Sequence, residues 1–531
     1  MNKRFSSVFA VMGLALIADQ AMAAQPVAPA PGQLVLPALN EGQGTARPEP
    51  IKLTKADGMF MLDYQVIPVP GNKSIDLLGF HAFTKLNDWM YLGIGAHAPM
   101  IKGEYGGFMT VGVTAHAQRK LFGNVFGNAG LSMGGGGGGK SVQHSIELSG
   151  TGGYVKSYVG LGYEFESFSV GANVARMKFK DSAINNSQFN LFIQAPFTYV
   201  IGPYSRSGET LFSSARPGAT DVFSAPSESI LTMGLDNFVQ IKPEGANKGN
   251  INLVDLQFSH FMSSDSFWFV NAALGYRGRP LYNQALGGIG YRARLSPQVN
   301  LYGQLGIGSG GYAPETINTG PGLLLYPKVS AEYMINKNFG LALSTGYLLA
   351  PKGSSKNYTF GAALNYHLHT GGSGKGGGSE SALLRGNRLH LFQQTETKVV
   401  SRGAPQPNIN MVSIQLDNIV NENIYLPIQV SAAYTAYLTY PGYGEILAGV
   451  GVQNTHRKGD RFQFFGHLMA GTNVHGAIFK TGVGLNLGLS DQWAMYGVAG
   501  QTMAGLGSSR DKFRSDYFGL GLSMRFSVPT R

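Results

Sequence analysis

Along most of this chain apolar and polar residues alternate with a period of two. Phe339, Leu341 and Leu343 alternate with Gly340, Ala342 and Ser344, and Tyr358, Phe360, Ala362, Leu364 and Tyr366 alternate with Thr359, Gly361, Ala363, Asn365 and His367. That period sends successive side chains to opposite faces of a strand, so each run predicts a β-strand with one apolar and one small or polar face. The pattern is written three times, each copy opening on a similar strand: Ile75-Asp76-Leu77-Leu78, Ile251-Asn252-Leu253-Val254 and Ile409-Asn410-Met411-Val412. The third copy parses into strands over 387–400, 409–420, 424–438, 446–458, 461–473, 477–490, 493–504 and 516–528. Its turns alternate in length. Asn421-Glu422-Asn423, Gly459-Asp460 and Asp491-Gln492 are tight hairpin signals, whereas 401–407, 440–445 and 506–515 are longer. Tight turns on one side and long loops on the other are the sequence signature of transmembrane β-barrels.

Three copies of eight strands allow three small barrels or one ring of 24. Two features favour three. The non-apolar face is mostly Gly, Ala, Ser and Asn, which suits a narrow lumen filled by side chains. The connectors between copies also fall on the short-turn side, where a continuous sheet needs a hairpin of only about two to five residues. One instead runs over 205–227, and the other, His369-Thr370-Gly371-Gly372-Ser373-Gly374-Lys375-Gly376-Gly377-Gly378-Ser379, has the composition of a flexible tether. The expected organisation is therefore 1–23 signal peptide, 24–56 Pro-rich segment, 57–204 first barrel, 205–227 linker, 228–369 second barrel, 370–386 Gly/Ser-rich linker and 387–531 third barrel. In the second copy Asp255, Gln257, Arg277, Arg292, Arg294, Lys328 and Glu332 fall in the inward phase. Charges inside a narrow barrel are expected to pair, because an unpaired charge away from water is costly.

The last strand of each copy bears on the class. Thr359, Gly361, Leu364 and Tyr366 place a polar residue, Gly, an apolar residue and an aromatic at fixed alternating spacing; Gly521, Met524 and Phe526 repeat three of these places, with Gly519 where a polar residue belongs. This spacing resembles the C-terminal assembly segment of bacterial outer-membrane β-barrel proteins. The first copy offers Phe197 and Tyr199 but has Gln194 at the Gly place, and the chain continues past Phe526 to Arg531. The resemblance implies recognition by the barrel-assembly machinery and insertion in the outer membrane of a Gram-negative bacterium. A terminus-like strand inside the chain reads as a former end left by fusion of small barrels. The nearest analogue by fold is the tandem-barrel class associated with exopolysaccharide secretion.

Composition supports the same address. Lys3 and Arg4, an apolar run from Val8 to Ile17 and Ala21-Met22-Ala23 before Ala24 have the order of a secretory signal. Charged residues are only 13% of the chain, Gly numbers 75 and Cys is absent, so disulfides, a lipid-anchoring Cys and thiolate metal sites are excluded. A net charge of +11 favours anionic neighbours such as outer-membrane lipid and lipopolysaccharide. Its basic residues are scattered, pairing only at strand ends such as Arg119-Lys120 and Arg457-Lys458, and form no stripe or motif for nucleic acid.

Candidate chemistry is sparse. Gly134 to Gly139 with Lys140-Ser141 spells the phosphate-loop formula, but the formula requires a helix after it and Val142 to Glu147 is expected to lead into another strand. Gly306 to Gly311 satisfies a dinucleotide formula with no strand-helix-strand unit around it. His144, Ser145 and Glu147 supply the residue types of a lipid A-modifying rim enzyme, yet they lie within four residues of one another, whereas a nucleophile and its base normally meet from separate segments. His456, His467 and His475 lack the carboxylates or spacing of a metal site. No cofactor, metal or catalytic site is expected. The function that follows is noncatalytic envelope binding or assembly, with a polysaccharide or protein ligand; the alternatives are a 24-stranded pore for export or uptake and, second, a lipid A-modifying rim enzyme.

Overall fold

The computed structural model describes residues 34–36, 51–71, 73–138, 142–212, 228–277, 282–368, 381–438, 441–456, 459–504 and 513–530. The signal segment, most of the Pro-rich segment, the greater part of both linkers and the Arg457-Lys458 pair lie outside these residues. A short strand β1 (Leu34–Leu36) pairs with the start of β2 (Ile51–Ile67). The first barrel continues with β3 (Ile75–Lys85), β4 (Met90–Ala98), β5 (Met109–Phe122), β6 (Val125–Gly137), β7 (Gly153–Glu164), β8 (Ser169–Phe179) and β9 (Asn185–Ile201). After β10 (Thr210–Phe212) the second barrel is β11 (Ser229–Gln240), β12 (Ile251–Phe261), β13 (Ser266–Arg277), β14 (Asn283–Arg294), β15 (Val299–Gly311), β16 (Leu323–Met334), β17 (Phe339–Leu349) and β18 (Lys356–His367). The third runs from β19 (Ser381–Ser401), with β20 (Ala404–Pro405) folded back on it, through β21 (Ile409–Ile419), β22 (Ile424–Ala433), β23 (Gly444–Gln453), β24 (Phe462–Asn473), β25 (Gly476–Gly488) and β26 (Trp493–Ala504) to β27 (Arg514–Thr530).

Three pairings decide the topology: β2 closes on β9 (Gly58↔Phe197), β11 on β18 (Leu235↔Ala362) and β19 on β27 (Leu389↔Met524). The strands thus close three antiparallel barrels of eight, and the single ring of 24 is not formed. The first and third barrels start earlier than their alternation implies: β2 opens at Ile51, and β19 at Ser381. Tight turns owe their geometry to one short polar side chain each. Asn87 Oδ1 accepts from the backbone of Trp89 and Met90 at 3.1 and 2.9 Å, and Asn421 and Ser263 do the same at the equivalent turns of the other barrels. The expected two-residue hairpin at Gly459-Asp460 is not formed: β23 ends at Gln453 and β24 begins at Phe462, and Asn454 Oδ1 accepts from Phe464 N. Small inner residues make room for inner rings: a Cβ on Gly162, Gly290 or Gly451 would lie 2.1–2.2 Å from Phe126, Phe267 or Tyr425.

The outer walls are of two kinds. Strands β6–β9, β14–β18 and β24–β27 expose large apolar side chains, Leu343 at 70% and Val483 at 69% among them, as a wall made for hydrocarbon. Trp89, Tyr163, Tyr291, Tyr333 and Phe462 form an exposed aromatic girdle toward the short-turn ends. By contrast, Ile94 and Val111 of the first barrel, Val254 and Leu274 of the second, and Val430, Ile446 and Met469 of the third are buried in one shared cluster. The barrels therefore pack against each other around a common apolar centre.

That packing is cyclic. The fifth strand of the first barrel meets the third strand of the third, with Gly135 against the Ala433 backbone; the fifth strand of the third meets the third strand of the second, where Thr472 Oγ1 donates to Gly275 O at 2.9 Å. The end of the second barrel's fifth strand meets the loop after the first barrel's third, through Ser309 Oγ to Pro99 O at 2.6 Å. Each barrel uses the same two places on its wall, one to grip and one to be gripped, which is the head-to-tail interface that closes into a three-membered ring. All three long-loop ends point the same way.

Candidate functional site

Each lumen is crossed by an ion pair built from the same two strands. Lys156, Lys328 and Lys480 project inward from the sixth strands (β7, β16, β25), and the facing acid comes from the first: Asp63 on β2, Asp236 on β11 and Glu396 on β19. The Lys Nζ to carboxylate distances are 2.5, 3.4 and 3.1 Å. In the third barrel Lys480 also reaches Glu445 at 2.5 Å, while Glu396 accepts from Thr502 and Ser515, and Glu445 from Tyr443. In the first, Lys156 donates to His97 Nε2 at 3.2 Å and Asn190 donates to Asp63. Asp63, His81 and His97 bring possible ligand atoms within 4.8 Å of one another, but the Lys156 ammonium already stands among them as the compensating cation.

Further polar groups fill the lumen toward the short-turn side. In the second barrel Glu332 accepts from Asn300, Tyr302, Asn365 and His367, and Glu228 takes Arg292 in a two-point grip at 2.5 and 2.7 Å. Burial by itself raises the Glu228 carboxyl, and the bonds from His367 and Arg292 outweigh it and hold that group below the usual range. In the third, Asp417 gathers Arg388 at 2.7 Å and His390 at 2.9 Å. The cavity in the second barrel, beside Gln257, Lys328 and Asn365, has a volume of 40 Å³, enough for a water molecule or so.

Of the polar positions in the inward phase, Asp255, Gln257, Arg292, Lys328 and Glu332 lie in this lumen: Asp255 accepts from Asn271, and Gln257 bonds Ser259 and Gln304. Arg277 does not: it is exposed at the end of β13, because the register slips beside Asn252 and shifts the phase of the last residues. Arg294 lies at the opposite rim, more exposed than Arg292 but sharing its partners, with Ser264 O at 3.2 Å and Glu228 at 3.8 Å. The terminus-like segments have become packing residues. Thr359 accepts from Tyr326, Gly361 sits beside Asp236, Leu364 faces outward, and Tyr366 takes a hydrogen bond from Arg385 of the third barrel. In β27, Gly521 backs onto Phe392, while Met524 and Phe526 pack with Phe197 and Tyr199 of the first barrel.

The first connector also packs onto the third barrel. After β9, Gly202 pairs with Ser527 on β27, and the turn Tyr204–Arg206 enters the mouth of the third barrel. Asp491 accepts from the backbone of Tyr204 and Ser205 at 2.8 and 3.1 Å, Tyr204 OH reaches Gln463, and the Arg525 guanidinium lies over the Tyr204 ring at 5.3 Å. Strand β10 then adds to the edge of β19. Beside this plug is a polar cleft of 460 Å³ bordered by Arg385, Gln453, His456 and Gln463.

The long-loop mouth of the first barrel is closed differently. Strand β6 remains paired through Gly137, and residues 142–149 form a helix, α1, in place of the loop expected to lead straight into the next strand. The glycines 134–137 thus belong to a sheet ladder, so they make no phosphate-holding loop, and Leu148 of α1 packs into the mouth against Phe108, Tyr154 and Phe179. Ser145 is buried and Glu147 exposed, so the helix turns these two members of the rim triplet to different surroundings; the His144 side chain lies outside the described residues. His456 stacks near Tyr204, His467 lies between Tyr425 and Tyr517, and His475 bonds Tyr437 OH at 2.8 Å, so the three do not converge.

No protein-family model matches the chain, and no curated protein matches it. Similar solved structures are β-barrels. The outer-membrane protein Ail of Yersinia pestis is 18% identical, with a TM-score of 0.20, over 26% of this chain and 98% of that one. The ferric enterobactin receptor PfeA is 7% identical, TM-score 0.28, over 89% and 81%. The KdgM porin solved with a disordered oligogalacturonate is 7% identical, TM-score 0.16, over 55% and 98%. At these TM-scores the superpositions assign this chain no activity, and its barrel form rests on its own strand pairings.

Proposed function

We propose that this chain is a noncatalytic outer-membrane protein, a covalent pseudo-trimer of filled barrels that anchors a platform of outer loops for binding or assembly at the cell envelope. The observation that carries this reading is the repeated lysine–carboxylate pair across each lumen, backed by the Tyr204 plug and the α1 cap. A narrow lumen crossed by a paired lysine, with the third barrel also plugged by Tyr204 and the first capped by α1, argues against an aqueous path of substrate width. The long-loop ends, held side by side by the cyclic seams, then offer one broad surface where three separate barrels would offer three small ones. Loops on a rigid scaffold are where binding specificity resides, and a surface polysaccharide or an envelope protein is the ligand class this placement suits.

The transport reading differs in one measurable respect. A substrate would have to pass between the barrels or through one emptied of its network, and either route conducts ions. Planar-bilayer recording of the full chain tests this: the anchor reading expects no steady openings, and reproducible nanosiemens-scale steps would overturn it.

A further inference from the structure

We infer that the outer wall of the first barrel carries a binding site for the phosphorylated headgroup of an outer-leaflet lipid, formed by Arg176, Lys178 and Lys180 on β8 and the turn that follows it. The inference rests on the membrane orientation proposed above, with long loops outward. Along β8 burial alternates strictly from Asn173 on: Asn173, Ala175, Met177 and Phe179 are buried, whereas Val174, Arg176, Lys178 and Lys180 are exposed. These exposed positions share the wall that faces hydrocarbon. Its lower part is apolar, with Val170 and Val174 on β8 flanked by Val159 and Leu161 on β7 and by Leu191 and Ile193 on β9, all exposed. Above them, toward the long-loop end, the same row turns basic at three successive outward places.

A row that is apolar below and cationic above matches the profile of a lipid standing against the wall, with its acyl chain on the valines and its phosphate at the lysines. No carboxylate among the described residues lies within ion-pair distance of these three side chains. Arg176 is oriented by Asn185 Oδ1, which accepts from its Nε and Nη2 at 3.3 and 3.2 Å. Neighbouring outward residues Val155, Ser157, Asn185 and Ser187 carry no charge, and the exposed Asp181 in the turn leaves the three cations in net excess. The repeat supplies an internal control. The outward row at the same end of the equivalent strands finishes in Tyr347 and Leu349 on β17 and in Gln501 and Met503 on β26. A generic requirement of barrel insertion would have placed basic residues in all three copies; only the first has them.

The test uses the full chain, folded in detergent and read by native mass spectrometry. Probes are bis-phosphorylated lipid A, the same lipid with both phosphates removed, and phosphatidylglycerol. The variant is Arg176→Gln, Lys178→Gln, Lys180→Gln, and the charge-matched control is Lys52→Gln, Lys55→Gln, Arg119→Gln at the opposite rim, where all three side chains are also exposed. Three surface cations acting on a phosphate are expected to change affinity by roughly 100-fold at low salt, less as salt screens them. The wild type and the control should retain bis-phosphorylated lipid A; the β8 variant should lose it by about that factor, and no protein should prefer the dephosphorylated lipid. Equal retention by the β8 variant, or equal binding of the dephosphorylated lipid by the wild type, would overturn the site. Preference for phosphatidylglycerol over lipid A would contradict the outer-leaflet source. Failure of the membrane reading is separate: it would show as a wild-type chain that does not sediment with outer membranes.

Discussion

Removing Lys480 puts the interior networks to a quantitative test. Its ammonium lies 2.5 Å from Glu445 and 3.1 Å from Glu396, and all three side chains are fully buried. In Lys480→Met the side-chain volume is nearly kept, but two carboxylates are left facing each other with only neutral donors: Ser515 and Thr502 for Glu396, Tyr443 for Glu445, and Gln394 for both. Breaking a buried pair by deleting one partner costs about 3–5 kcal/mol. With a urea dependence of about 2 kcal/mol per molar, the unfolding midpoint should fall by roughly 2 M. The assay is urea unfolding of the full chain in detergent, read by Trp fluorescence and by the gel mobility of the unboiled protein. Lys480→Met, Glu396→Gln, Glu445→Gln removes the charges together and should recover most of the loss, because replacing a whole buried ion cluster with neutral groups is often close to neutral. A single variant whose midpoint stays at the wild-type value would refute the claim that this lysine stabilises the fold by neutralising the two buried carboxylates. A triple variant no better than the single would place its role in packing instead of charge.

Other parts of the chain make separate predictions. Glu228, whose carboxyl the fold holds below its ordinary range, contributes stability that is complete above the unfolded-state value and is lost as pH falls through the folded one; Glu228→Gln should lower the melting temperature at pH 7 and flatten its decline in acid, and an unchanged acid profile would contradict the pairing with Arg292. Asp491→Ala leaves the backbone donors of Tyr204 and Ser205 without their acceptor, at a cost of about 1–3 kcal/mol, so proteolysis between β9 and β11 should accelerate while the barrels stay intact on gels. The chain has no Cys, and a Cβ on Gly202 would lie 2.7 Å from Ser527 Oγ. Gly202→Cys with Ser527→Cys should therefore oxidise to an intramolecular disulfide joining the first and third barrels. Absence of that bond in the oxidised, folded protein would contradict the seam.

How much of this was legible in the sequence follows from what each signal reports. Period-two alternation and Asn or Ser at tight turns are local, so the strands of the third copy fall within a few residues of their expected places, β26 at 493–504 among them. Alternation is blind to what lies outside the wall. Val430 packs against another barrel and Leu343 faces lipid, yet both read as outward apolar residues. The ring of barrels was therefore invisible, although the long connectors correctly argued against a continuous sheet. The lysine row could have been found by laying the copies side by side: Tyr154-Val155-Lys156, Tyr326-Pro327-Lys328 and Ile478-Phe479-Lys480 occupy one register of the sixth strand. Only Lys328 was singled out from the phase of its own strand. Helix α1 and the Tyr204 plug carry no periodic signal, since their apolar residues are specified by the mouths they fill. Arg277 escapes the phase because alternation loses meaning at a bulge.

Everything above depends on how many rings the strands close. An electron cryo-microscopy map of the full chain in a lipid disc, sectioned parallel to the membrane, reads that directly. Three adjoining closed rings of eight strands, with density crossing each lumen at Lys156, Lys328 and Lys480, is the expected result; one wide ring with an open centre would contradict it.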